Sequence, residues 1–117
     1  MKKILLVDDE ELVRNYVLRA LSSRGWEISA VDNGAAALAM LGRKDFDAVI
    51  CDLKMPDMRG EEVIKRIRAV FPAMKIIAIT GSVSNSSTPL VPGVELEGFL
   101  IKHFGIDEIR NLMERVL

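Results

Sequence analysis

The chain has 117 residues, 16 of them Lys or Arg and 17 Asp or Glu, for a net charge of −1 with one His and one Cys. That length fits one domain on the soft prior of roughly 100–200 residues, and it is enough to bury roughly 60–70% of the unfolded surface. Half the residues are apolar and 28% are charged, an ordinary folded balance. The near-zero charge argues against a nucleic-acid binder that works through a global basic field. A single Cys excludes an intrachain disulfide and fits a reducing cytoplasm. Apolar stretches such as Ala35 to Leu41 fall far short of the roughly 18–20 residues a membrane helix needs, so no membrane insertion is expected. Met1-Lys2-Lys3 and the run Ile4 to Val7 are stopped by Asp8-Asp9, too early for a signal peptide, so the chain is expected to start within its fold.

Ile4-Leu5-Leu6-Val7 is a continuous apolar run and predicts a strand buried on both faces. After the acids Asp8 to Glu11, the residues Leu12, Val13, Tyr16, Val17, Ala20 and Leu21 form one helical stripe, which Gly25 ends. Trp26, Ile28 and Ala30 alternate with Glu27 and Ser29 and predict a half-exposed second strand. Asp32-Asn33-Gly34 signals a turn, and Ala35 to Leu41 predicts a helix that Gly42 stops. A third strand spans Ala48 to Cys51 and ends at Asp52, followed by the loop Lys54 to Gly60. Glu61 and Glu62 sit in a first helical turn, with Val63, Ile64, Ile67 and Val70 as the stripe and Phe71-Pro72 as the break. Ile76 to Ile79 is a fourth strand ending at Thr80, and Phe99 to Ile101 a fifth ending at Lys102. Ile109, Leu112, Met113, Val116 and Leu117 mark a last amphipathic helix. This alternation predicts an α/β fold, a doubly wound five-stranded parallel sheet. Residues 81 to 94 break the rhythm: they hold no charge and are rich in Ser, Pro and Gly, so the helix between strands four and five is expected to be short or distorted.

Ligands of such sheets bind beyond the carboxyl ends of the strands. With strand order 2-1-3-4-5, Asp8-Asp9, Asp52, Thr80 and Lys102 converge there. Carboxylates this close repel, and a divalent cation with oxygen ligands resolves the conflict; two carboxylates with retained waters suit Mg²⁺. The cluster has no His or Cys, which speaks against zinc. The ammonium of Lys102 and the hydroxyl of Thr80 suit a phosphoryl group, so the set describes phosphoryl transfer onto a carboxylate. Taken singly, the acids are a helix start, Lys102 a surface lysine and Thr80 a strand end; their common register is what joins them.

The segments Ile4 to Glu10, Asp47 to Pro56, Ile79-Thr80 and Gly98 to Lys102 together resemble the receiver domain of two-component response regulators, CheY-like in fold. The resemblance covers residues 2 to 117, so residues 1–117 are expected to form one receiver domain with no output domain in this chain. It implies a phosphoacceptor that assists its own phosphorylation and dephosphorylation rather than an enzyme in the ordinary sense. Asp52 would take the phosphoryl group from a sensor histidine kinase or phosphotransfer protein. Asp8, Asp9, Asp52 and the backbone carbonyl of Lys54 would hold Mg²⁺, with Mn²⁺ possible. Thr80 and Phe99 would act as the switch pair, Lys102 would pair with Asp52 and then with the phosphoryl group, and Lys54 and Ser82 would tune the acyl phosphate's lifetime. Output would be a phosphorylation-dependent contact with a downstream protein, without direct nucleic-acid binding by this chain.

The sequence departs from the family at Lys102-His103, where Lys-Pro with a cis bond is usual. A cis bond before a non-proline costs roughly 2.5–4 kcal/mol, so a trans bond and a shifted loop are expected, with room for Lys102 to be displaced. Gly81 stands where Ala is common and leaves the Thr80 loop open, and Arg59 stands where an acidic cap is frequent. Cys51 is read as a small buried apolar residue and His103 as an exposed loop residue. Two other functions compete: a receiver-like module that signals without phosphate, and a flavodoxin-like carrier, whose flavin phosphate the acids after strand one would repel.

Overall fold

Ile4, Leu5, Leu6 and Val7 are all fully buried, so the first strand has no face left for water. That requires helices on both sides, and the computed structural model, which describes residues 1–81 and 90–117, supplies them. Its described elements are β1 (Lys3–Val7), α1 (Glu11–Ser22), β2 (Glu27–Val31), α2 (Gly34–Leu41), β3 (Ala48–Asp52), α3 (Gly60–Val70), β4 (Lys75–Thr80), β5 (Gly98–Ile101) and α4 (Ile106–Val116). The sheet order is β2-β1-β3-β4-β5, with every neighbouring pair parallel.

Period-two alternation divides β1, β3 and β4 between two cores. Ile4, Leu6, Ile50, Ile77 and Ile79 face α1 and α4, which bring Val17, Ala20, Leu21, Ile109, Leu112 and Met113. Leu5, Val7, Val49, Cys51, Ile76 and Ala78 face α2 and α3, which bring Ala37, Leu41, Val63, Ile64 and Ile67. On the first of these faces, the Arg110 guanidinium donates to the carbonyl of Ala20 at 2.7 Å and to Ser23 Oγ at 2.8 Å, fastening α4 to α1. Among the described residues, no helix is long and apolar enough to cross a membrane.

Leu12, Tyr16, Ala30 and Val70 are exposed although the predicted pattern placed them on apolar faces. Leu12 is 83% exposed and Val70 69% exposed, although both keep helical spacing with core residues. Leu12 lies beside Lys102, His103 and Phe104, past the end of β5, and Val70 beside Lys2 and Pro72, ahead of β1. Both residues thus lie on open grooves beyond the strand ends rather than in either buried cluster. Ala30 is exposed because β2 is an edge strand. The helix expected within residues 82–94 falls mainly on residues 82–89, outside the described residues, as does Ser82. From 90 onward, Val91 is buried in the core that covers α2 and α3, and Gly93 turns at φ +82°.

Candidate functional site

Register brings the strand ends to one place. Val7 pairs with Cys51, so Asp8 and Asp52 leave adjacent strands at the same level. Thr80 pairs with Ile101 on the far side of β4, and the Lys102 amide donates to the Thr80 carbonyl at 2.8 Å. One ligand atom from each of Asp8, Asp9, Glu10 and Asp52 lies within 4.8 Å of the others.

Asp8 is fully buried. Its Oδ1 accepts from the Glu10 amide at 2.8 Å, whereas Oδ2 is buried with no hydrogen-bond partner among the described residues. Burial pushes its pKa up to about 6; the Glu10 amide opposes this, Asp52 and Glu10 add repulsion, and Lys102 relieves part of it. A buried carboxylate oxygen left alone is costly, and a cation is the partner its chemistry calls for. The residues present therefore fit a divalent ion with oxygen ligands.

Asp52, 1% exposed, is held from two sides. The Lys54 amide donates to Oδ1 at 3.1 Å, and Lys102 Nζ donates to Oδ2 at 3.3 Å. Burial raises its pKa and contact with Asp9 adds to this, while the Lys54 amide and Lys102 pull it back. Backbone geometry fixes the same residue from below. A Cβ on Gly60 would stand 1.9 Å from the Asp52 carbonyl oxygen, so only glycine lets α3 begin this close to the acid. Cys51 is fully buried behind it, its thiol facing the Asp52 carbonyl at 3.4 Å. Burial, with Asp52 and Asp8 nearby, raises the thiol's pKa and keeps it protonated.

Lys102 bridges two acids. Its Nζ donates to Glu10 as well as to Asp52. Partial burial disfavours its charge, but Glu10 and Asp52 outweigh this and its pKa is raised; the Lys102 hydrogen bond in turn lowers that of Glu10. Sequence reasoning gave Glu10 no role, because only the folded chain sets it against a residue 92 positions later. Arg14 was missed for the same reason: one turn into α1, it donates to the Asp8 carbonyl at 2.8 Å.

The other expected residues are placed as follows. Thr80 is buried at its strand end, and a Cβ on Gly81 would meet nothing within 4 Å among the described residues. Phe99 is 47% exposed on β5, and the Lys54 side chain is exposed. No peptide bond among the described residues is cis, so Lys102-His103 is trans; the turn is made by His103 at φ +73°. The room expected for displacing Lys102 is not used, since the ammonium remains at Asp52.

Comparison with known proteins agrees with this geometry. Residues 4–114 match the family described as the response regulator receiver domain. The response regulator receiver protein CpdR of Brucella abortus is 32% identical over 117 residues, covering 100% of this chain and 98% of CpdR. The sensor kinase CckA of the same organism is 30% identical over 97% of this chain, which spans 12% of CckA. Several transcriptional regulatory proteins and the response regulator MprA also match, and the chain spans about half of their length. Among solved structures, Thermotoga maritima TrrA in complex with Mg²⁺-BeF superposes with a TM-score of 0.89 at 33% identity, covering 100% of both chains. TrrA in complex with the histidine kinase ThkA gives a TM-score of 0.87 at 32% identity, covering 100% of this chain and 99% of that one.

Proposed function

The chain belongs to the response regulator receiver domain family of two-component signalling, and from that premise we propose that Asp52 accepts a phosphoryl group from a kinase or phosphotransfer phosphohistidine. The observation that carries this reading is the arrangement at Asp52: a buried carboxylate with a lysine ammonium at 3.3 Å, beside the lone buried Oδ2 of Asp8. Asp8, Asp9, Asp52 and the backbone carbonyl of Lys54 would hold Mg²⁺, with Mn²⁺ as a substitute. When bound, the ion offsets charge on the oxygens of the transferred group. TrrA, known in complex with Mg²⁺-BeF and with a histidine kinase, supports both the ion and the partner.

The protein's own groups do the rest. A carboxylate oxygen of Asp52 forms a bond to phosphorus as the donor's phosphorus–nitrogen bond breaks, and the bond's electron pair returns to the imidazole. The Lys54 amide holds the Asp52 carboxylate in one rotamer for that attack. Lys102 opposes the rise that burial imposes on the Asp52 pKa and would then neutralise the new phosphoryl group. Thr80 would donate its hydroxyl to a phosphoryl oxygen, and Phe99, half exposed, would turn inward as Thr80 moves. Residues 1–117 would thus act as a cytoplasmic receiver whose output is a protein contact, a phosphoacceptor rather than an enzyme. Lys54 and Ser82 would set how long the acyl phosphate lasts.

Incubation with Mg²⁺ and acetyl phosphate, followed by intact-mass measurement, tests this. The wild type gains one phosphoryl group and Asp52→Ala gains none. No gain in the wild type, or an equal gain in the variant, overturns the reading. The departure at Lys102-His103 does not favour the rival module that signals without phosphate, because Lys102 stays within reach of Asp52.

A further inference from the structure

The loop that leads from Asp52 into α3 is tied at its tip to a helix that gives the site no side chain. Asp57 Oδ1 accepts from the Gly34 amide at 3.2 Å and Oδ2 from the Ala35 amide at 3.3 Å. Asn33 Oδ1 accepts from the Ala36 amide at 2.8 Å. The first three amides of α2 are thus satisfied, two of them by a carboxylate from another part of the chain. The helix needs this. It has eight residues, none charged, and no acid of its own in the first turn. A helix that short is marginal alone, and a carboxylate at its N-terminus is stabilising. Partial loss of water raises the Asp57 pKa, but the amides of Gly34 and Ala35, with those of Asp57 and Met58, outweigh this and hold it low.

The same loop closes on itself at its base. The Gly60 amide donates to the Leu53 carbonyl at 3.1 Å, and Gly60 rests against the Asp52 carbonyl. Between base and tip lies Lys54, whose amide holds Asp52 Oδ1. We propose that Asp57 is a positioning residue for Asp52: by fastening the loop tip to the α2 amides, it fixes the Lys54 backbone that orients the acceptor carboxylate and lines the metal site. Asp57 touches neither donor nor ion and acts only through the loop. This rests on the reading of Asp52 as a metal-dependent phosphoacceptor.

Two caps on one helix provide the control. Asn33→Ala removes the cap that α2 draws from its own side, and Asp57→Ala removes the one that also ties the loop. Both should lower Tm and speed hydrogen exchange at the start of α2. Only the Asp57 variant should weaken Mg²⁺ binding by calorimetry, without any phosphodonor, and slow labelling by acetyl phosphate, each by roughly 3- to 10-fold. Asp57→Asn, which retains one acceptor oxygen, should fall between, and it serves if Asp57→Ala does not fold. Wild-type Mg²⁺ affinity and labelling in the Asp57 variants, or equal losses in Asn33→Ala, overturn the proposal while leaving Asp52 as acceptor. A wild type that neither binds Mg²⁺ nor takes up label overturns both.

Discussion

Lys102 divides its ammonium between Asp52, the proposed acceptor, and Glu10, which is exposed beside it. Glu10 therefore acts in two opposed ways. It draws Lys102 partly away from Asp52, leaving the acceptor oxygen freer, and its own charge repels an anionic phosphodonor arriving within about one Debye length, roughly 8–10 Å in ordinary buffers. The repulsion acts on a doubly charged donor, whereas Lys102 stays within reach of Asp52 in either case, so the charge should prevail. Glu10→Gln is expected to raise the rate of labelling by acetyl phosphate about threefold at low salt and by less at 0.5 M salt. A labelling time course at the two ionic strengths checks this, and a slower variant would mean that the hold on Lys102 matters more than the charge. Lys102→Ala should slow labelling, since it removes the one cation seated at Asp52 among the described residues.

At the scale of elements, α3 begins where Asp52 ends, and Gly60 is the hinge point between them. A Cβ there would stand 1.9 Å from the Asp52 carbonyl oxygen and 2.5 Å from the Leu53 Cα, both backbone atoms with no rotamer to yield. Gly60→Ala should therefore cost about 3 kcal/mol in urea unfolding, at the upper end of ordinary overpacking. The variant should also lose Mg²⁺ affinity, because the strand end carrying Asp52 has to move. The elements themselves were legible because β1, β3 and β4 are buried on both faces and read as unbroken apolar runs. Asp8, Asp52 and Thr80 were legible because each directly follows or closes such a run, and Lys102 because it follows the apolar Phe99-Leu100-Ile101, of which only Leu100 is buried. Leu12 and Val70 were misread because helical spacing marks a face but not where the sheet beneath it ends. Arg14 and Asp57 had no signal at all, and Glu10 only its place at the end of the Ile4 to Glu10 segment: their partners lie on other elements, and an acid before a helix or in a loop has many ordinary uses.

For the molecule as a whole, the acidic cluster is a local instability that a bound cation would relieve. Asp8 has a folded pKa of about 6 against 3.8 for the free side chain. Between those values the folded state holds the proton more tightly than the unfolded one, so metal-free stability falls as pH rises from about 4 through about 6 and stays reduced above. Asp52, also raised, adds in the same direction. Mg²⁺ held as proposed would need the ionised acids and the folded site, so it should act most strongly above pH 6. At 100 times its Kd it adds about 2.7 kcal/mol, on the order of 10 °C in Tm for a domain of this size. Asp8→Asn separates the two effects, because it removes the buried charge and a ligand together. The variant should melt higher than the wild type without metal at pH 7.5, show a flatter stability profile between pH 4 and 6, and gain little from Mg²⁺. Thermal melts of both proteins, with and without Mg²⁺ across that pH range, check all three. A metal-free variant that melts below the wild type would mean that the Glu10 amide's bond to the Asp8 carboxylate outweighs its burial, and that the cluster is not under strain before the ion arrives.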